Sequence, residues 1–231
     1  MNCIEYAKEL CEKRMRINEQ LMEKGVIIED PNTAYIDETA EIETGAVILP
    51  NTRITGESKI GKGSVIGPNS IIETSNIGED CEITASVLKE ATVDNNVSVG
   101  PFAYLRPKTH ICSDAKIGDF VEVKNSTVGQ GTKVAHLTYI GDADVGEKCN
   151  FGCGTVIVNY DGKNKHRTVI GNNAFIGCNT NLVSPVKVGD YGYTAAGSTI
   201  TEDVPEGALG IGRARQVNKD GWVEKNGKLK K

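Results

Sequence analysis

The chain has 231 residues, enough for one large domain or two small ones and for a core that needs neither metal nor disulfide to hold it. Hydrophobic residues make up 39% and charged residues 25%, which excludes a wholly disordered chain. The net charge of −5 argues against wholesale binding to nucleic acid or an anionic membrane, although seven Lys or Arg face two acids from Arg213 to Lys231.

No apolar run approaches the roughly 20 residues of a membrane span, and the N-terminus carries no signal-peptide pattern, so the cytosol is the expected compartment. Seven cysteines without a C-x-x-C spacing argue against a disulfide framework and against a thiolate zinc site. Aromatic residues are only 5% while glycine reaches 26 residues, so the core must be built from small aliphatics.

The first predicted element is a helix over residues 2–24. Asn2 and Glu5 have the spacing of a capping box, apolar residues recur at Ile4, Ala7, Cys11, Ile17 and Leu21, and Gly25 can end the element. From residue 26 to 204 a repeat takes over. Ile36, Ile42, Ile48, Ile54, Ile60, Ile66 and Ile72 fall six residues apart, and the series runs on through Ile77, Ile83, Val87, Val93, Val99, Leu105, Ile111, Ile117 and Val123. It continues at Val128, Val134, Ile140, Val145, Phe151 and Ile157, then resumes at Ile170, Ile176, Leu182, Val188, Thr194 and Ile200. Four residues beyond the aliphatic sits a small residue, as at Ala46, Thr52, Ser58, Ser64, Thr132 and Thr155.

A period of six fits neither a helix nor an alternating strand. It fits a short strand, a tight bend and a return, three hexads to a coil, and predicts an all-β parallel β-helix of about nine coils stacked about 4.8 Å apart. A sandwich would instead show alternation with turns every 8–12 residues. Beyond Pro205 the hexads stop, and residues 205–231, with the lone Trp222, read as an arm.

Stacked coils turn the sequence into columns. Two positions beyond Val134, Phe151, Ile176 and Thr194 lie His136, Cys153, Cys178 and Ala196, so one corner carries all four. Beyond Leu105 and Val123 lie Arg106 and Lys124, two cations on successive coils that favour an anion between them. After Ile157 the repeat is broken by one long basic loop, residues 159–167, and loops on rigid scaffolds concentrate binding groups. With Glu122 and Tyr139 at equal positions in successive coils, a histidine, a carboxylate, a phenol, two cations and the loop are expected on one flank. Three histidines at different phases argue against a metal centre of converging imidazoles. Cys81 and Cys149 occupy the small-residue phase and read as core filler.

Two stretches are more specific than the hexad: His136-Leu137-Thr138-Tyr139-Ile140-Gly141-Asp142-Ala143, and residues 154–165 with Asn159-Tyr160-Asp161-Gly162-Lys163-Asn164-Lys165. Together with Arg14–Asn18 and the closing Gly212–Gln216 they resemble, over nearly the whole chain, the C-terminal acetyltransferase domain of the bifunctional N-acetylglucosamine-1-phosphate uridylyltransferase/glucosamine-1-phosphate N-acetyltransferase. The resemblance implies a left-handed coil with a connecting helix over residues 1–25, and a homotrimer with sites between subunits. It implies acetyl transfer from acetyl-CoA to the amine of glucosamine 1-phosphate, with no metal required. It assigns His136 as general base, Glu122 as its orienting partner and Asn159 beside the amine. It assigns Arg106, Lys124 and Lys165 to the sugar phosphate and Tyr139, Asn150 and Tyr160 to the sugar. Cys153, Cys178, Ala196 and Arg213 are assigned to the acyl-CoA.

The family's nucleotidyltransferase domain has no counterpart in these residues, so UTP-dependent chemistry is not expected. Two other readings follow from the same features: the same chemistry on another amino-sugar phosphate, or a non-catalytic scaffold for a separate uridylyltransferase.

Overall fold

Most hexads fold as a strand of two to four residues whose second residue points inward. In the computed structural model, which describes residues 2–227, these strands stack in parallel into three flat sheets of eleven, ten and nine strands, wound in about ten turns. Successive strands in the chain belong to successive sheets, so the chain is a parallel β-helix of triangular section. The inward column is closed: Ile48, Ile54, Ile66, Ile72, Leu105, Ile117, Ile140 and Ile157 have no exposed surface. Branched and γ-branched aliphatics fill the narrow section without leaving voids.

The small-residue column has a second duty that explains its Ser and Thr. The Ser64 hydroxyl donates to the carbonyl of Gly78 at 2.7 Å and accepts the amide of Cys81 at 2.9 Å. Thr132 repeats the pattern with Gly146 at 2.8 Å and Cys149 at 3.0 Å. Buried backbone groups at the bends are thereby paired. Cys81 and Cys149 are buried as expected, and burial pushes both thiols up.

One register differs from the reading of the repeat. Leu88, not Val87, fills the inward column: Leu88 is fully buried, while Val87 faces outward between Ile71 and Tyr104. The bend after Ile83 is one residue short, which moves the inward position by one, and two adjacent aliphatics hide the shift. Leu88→Ala is expected to cost about 2–5 kcal/mol, as for other buried leucines, and Val87→Ala less than about 1 kcal/mol. Urea midpoints of the two variants check the register.

At one end the helix α1 (Cys3–Glu23) lies over the coil. Its capping box forms, with Asn2 Oδ1 accepting from Ile4 and Glu5 amides and Glu5 Oε2 accepting from the Asn2 amide. Ile17 and Leu21 are buried against the first turn. The fully buried Asn18 side-chain amide donates to the carbonyls of Pro31 and Ala34 at 2.9 and 3.0 Å. At the other end the winding goes one strand beyond Pro205, with Leu209–Gly210 pairing Tyr193–Thr194. A single helical turn, Trp222–Lys225, follows; Lys228, Lys230 and Lys231 of the basic arm lie outside the described residues. No described helix is long and apolar enough to cross a membrane.

Candidate active site

Three consecutive strands set the frame. Lys133–His136 lies on a first face, Tyr139–Gly141 on a second and Ala143–Val145 on a third, with bends at Leu137 and Asp142. Leu137 takes φ of 47°, a left-handed conformation that costs an L residue about 1–2 kcal/mol. That bend makes His136 the last residue of its strand and leaves it exposed on the corner.

The carboxylate beside His136 is Asp119, one coil below and directly in register with it. Asp119 Oδ1 meets His136 Nδ1, and the imidazole holds the Asp119 carboxyl below its usual value. A carboxylate can only accept, so Nδ1 carries a proton, and in the neutral imidazole the free lone pair is then on Nε2. Glu122, expected to orient His136, turns elsewhere within the chain: its Oε1 accepts from Arg106 Nη1 at 2.8 Å. The register explains the difference. Glu122 pairs with Tyr104 and Tyr139 on the second face, beyond the bend from the histidine.

The rest of the His136 corner stacks as the columns predict. Cys153 O accepts from the Asn179 amide and Cys178 O from the Gly197 amide, both at 2.8 Å, so Cys153, Cys178 and Ala196 stand one above another. Glycines inside this corner let the coils close up, since a Cβ on Gly152 would lie 2.7 Å from the Cys178 Cα and one on Gly177 2.6 Å from the Ala196 amide nitrogen. Arg213 comes next, its Cδ 3.8 Å from where a Gly197 Cβ would sit. Asn150 lies on the first face, in register with Lys133 and Phe175.

The cations gather at the bend between the second and third faces. Lys124 is half-buried, and its ammonium is pushed down first by the neighbouring Lys165 cation and then by burial, against the pull of Asp142. Arg106 adds to the same field, and its own guanidinium is held up by the Glu122 hydrogen bond. At the centre sits Asp142, 7% exposed. It accepts from Asn125 Nδ2 at 2.5 Å and from Asn159 Nδ2, with Lys124 Nζ 3.9 Å away. Gly141 makes room here, because a side chain on it would run into the Tyr139 hydroxyl and lie 2.8 Å from Asn159 Nδ2.

The loop that follows is tied down. Asp161 accepts the amides of Lys163 and Asn164 at 2.7 and 2.6 Å and His166 Nε2 at 2.6 Å, which lowers its carboxyl to about 2. Tyr160 bridges back to Lys165. Arg167 donates to both Asp144 oxygens and, at 3.1 Å, to the Asn125 carbonyl. The loop therefore presents Tyr160 and Lys165 from a fixed base.

The sequence-predicted residues thus form two groups at the two edges of the second face. His136, Cys153, Cys178, Ala196 and Arg213 follow one edge; Arg106, Lys124, Asn159 and Lys165 occupy the other, with Tyr139 and Glu122 between. They do not converge on one flank of a single chain. Asp119, Asp142 and Gly141 were missed. Extending the His136 column one coil down, to two positions beyond Ile117, finds Asp119.

Burial outweighed by hydrogen bonds and cations holds the Asp142 carboxyl below its usual value. Its stabilising contribution is then complete above the ordinary carboxylate range and lost as pH falls through the lowered value. Asp142→Asn, which turns an amide donor toward two amide donors, is expected to cost about 1–3 kcal/mol at neutral pH. Urea denaturation should show that difference fading in acid.

The triangular coil wound from six-residue repeats places the chain in the class of hexapeptide-repeat β-helix proteins. The fold is shared with the Arabidopsis UDP-N-acetylglucosamine acyltransferase at a TM-score of 0.69 and 19% identity, over 85% of this chain and 76% of that one. The sequence family described as the GMPPB C-terminal domain matches residues 87–188. The bifunctional protein GlmU of Clostridium kluyveri is 60% identical over 218 residues, 94% of this chain and 48% of that protein. That of Clostridium beijerinckii is 58% identical over 216 residues, 94% and 47% respectively. The chain belongs to the GlmU family, in its C-terminal, hexapeptide-repeat part, and spans about half the length of the curated relatives it matches.

Proposed function

We propose that the chain transfers an acetyl group from acetyl-CoA to the amine of glucosamine 1-phosphate, giving N-acetylglucosamine 1-phosphate and CoA. The observation that carries this reading is the pair of edges on the second face: an imidazole with a free Nε2 on one, and three cations crowded around one point on the other. Crowded, partly desolvated cations favour an anion of concentrated charge, and the phosphate of the sugar supplies it.

In this reading Arg106, Lys124 and Lys165 hold the phosphate, with Glu122 fixing the fork of Arg106 and Asp142 spacing Lys124 from Asn159. Tyr139, Asn150, Asn159 and Tyr160 position the sugar. The amine nitrogen attacks the thioester carbon while His136 Nε2 takes the amine proton; Asp119 keeps the tautomer that allows it. The carbonyl oxygen becomes an oxyanion, the carbon–sulfur bond then breaks, and the CoA thiolate leaves and recovers a proton. The small corner of Cys153, Cys178 and Ala196 leaves backbone amides accessible to the acyl group, and Arg213 meets the CoA phosphates.

Because one chain carries the base on one edge and the cations on the next, the site closes between neighbours in a homotrimer. Free-thiol release with acetyl-CoA and glucosamine 1-phosphate tests the reaction. Turnover with this sugar above that with galactosamine 1-phosphate is expected, and no thiol release with any amino-sugar phosphate would overturn the proposal.

A further inference from the structure

On the third face, one bend beyond Arg106 and one coil from Thr127, a second group of reactive side chains comes together. The His110 ring nitrogen Nε2 lies 3.0 Å from Asp94 Oδ1. With the sulfur of Cys112 they form a set in which one ligand atom from each residue lies within 4.8 Å of the others, all three side chains partly exposed. Asp94 comes from one coil, while His110 and Cys112 come from the next. Spacing along the chain does not display the group, because the coil assembles it.

The positions of Asp94 and Cys112 are themselves unusual. Both follow the inward aliphatic at the end of a third-face strand, where the column reads Gly61, Gly78, Gly129, Gly146, Gly171 and Gly189. Glycine is required there by the next coil: a Cβ on Gly61 would lie 2.5 Å from the Gly78 carbonyl carbon, and one on Gly129 2.5 Å from that of Gly146. Between Gly61 and Gly189 two consecutive coils depart from this, and both departures are metal-ligating side chains beside the one histidine of that face.

The geometry points to a site for one borderline-soft divalent cation of the zinc class, held by Asp94, His110 and Cys112 with water in the fourth position. Carboxylate oxygen, imidazole nitrogen and thiolate sulfur suit Zn²⁺ or Co²⁺ at about 2.0–2.3 Å, and Mg²⁺ or Ca²⁺ poorly. Movement of about 1 Å in three partly exposed side chains brings the ligand atoms to those distances. On binding, the Cys112 thiol releases its proton to solvent and the sulfur–metal bond forms. The Asp94 and Glu147 carboxylates both act on this corner, and a cation would offset their charge. The ion ties one coil to the next and uses none of the residues assigned to acetyl transfer.

Cobalt(II) titrated into the untagged full chain provides the test. One equivalent per chain is expected, with a thiolate-to-cobalt charge-transfer band, visible bands of four-coordinate intensity, and displacement by zinc. Cys112→Ser should abolish the charge-transfer band, and His110→Ala should weaken cobalt binding by about 10-fold or more. In the unaltered chain, zinc should protect Cys112 from alkylation, read by peptide mass, while the partly exposed Cys153 and the exposed Cys178 remain labelled. A charge-transfer band that survives Cys112→Ser, or equal alkylation of Cys112 with and without zinc, would overturn the assignment. Acetyl transfer by the two variants should match that of the unaltered chain.

Discussion

Replacement of His136 by alanine is expected to lower kcat by about 10²–10⁴-fold while leaving the fold intact, the range for removal of a positioned general base. The side chain is exposed on its corner and supports no packing, so thermal unfolding of the variant should superpose on that of the unaltered chain. The imidazole is held by the Asp119 carboxylate, which fixes the proton on Nδ1. Asp119→Asn can present either an oxygen or an amide to the ring, so its loss should fall between the unaltered chain and His136→Ala. Glu122→Gln loosens Arg106 instead, and should raise KM for the sugar phosphate more than it lowers kcat. Undiminished turnover by a folded His136→Ala protein would remove the base from the scheme.

The second large effect concerns two inactive proteins. His136→Ala leaves the cation edge intact, and Lys124→Ala leaves the histidine edge intact. If the base of one chain serves the cations of its neighbour, trimers assembled at random from equal amounts of both variants hold an intact pair in about one quarter of their sites. Activity of the mixture should rise to about that fraction of the unaltered protein, after each variant alone has shown little. A mixture no more active than its parts would place the whole site within one chain.

The coil could be read from the sequence because its core is a single column of aliphatics, and a six-residue spacing has no other regular structure to serve. Where the spacing shortens to five, at Leu88, two neighbouring aliphatics made either register equally good. The site was harder to read. Glu122 lies three residues beyond Asp119, past the bend into the second face, so one coil down from His136 the register reaches Asp119 and not Glu122. Residues nearly one hexad apart also land on different corners: Lys124 is in register with Gly141, five residues beyond His136. The loop's chemistry was legible as charge, but its anchoring was not. Arg167 reaches Asp144 across 23 residues, a pairing set by the position of the third face rather than by any local pattern.

The buried amide of Asn18 has a consequence for how the rod ends. Stacked strands grow by addition, and any terminal strand offers its backbone as a template for more. Here a polar side chain from α1 occupies two carbonyls of the opening turn, while Ile17 and Leu21 cover the aliphatics beneath. The helix acts as a stopper. Fragments cut between residues 25 and 26 would expose an unsealed mouth and assemble into fibres by joining head to tail, so proteolytic trimming of α1 would convert a bounded particle into a polymer.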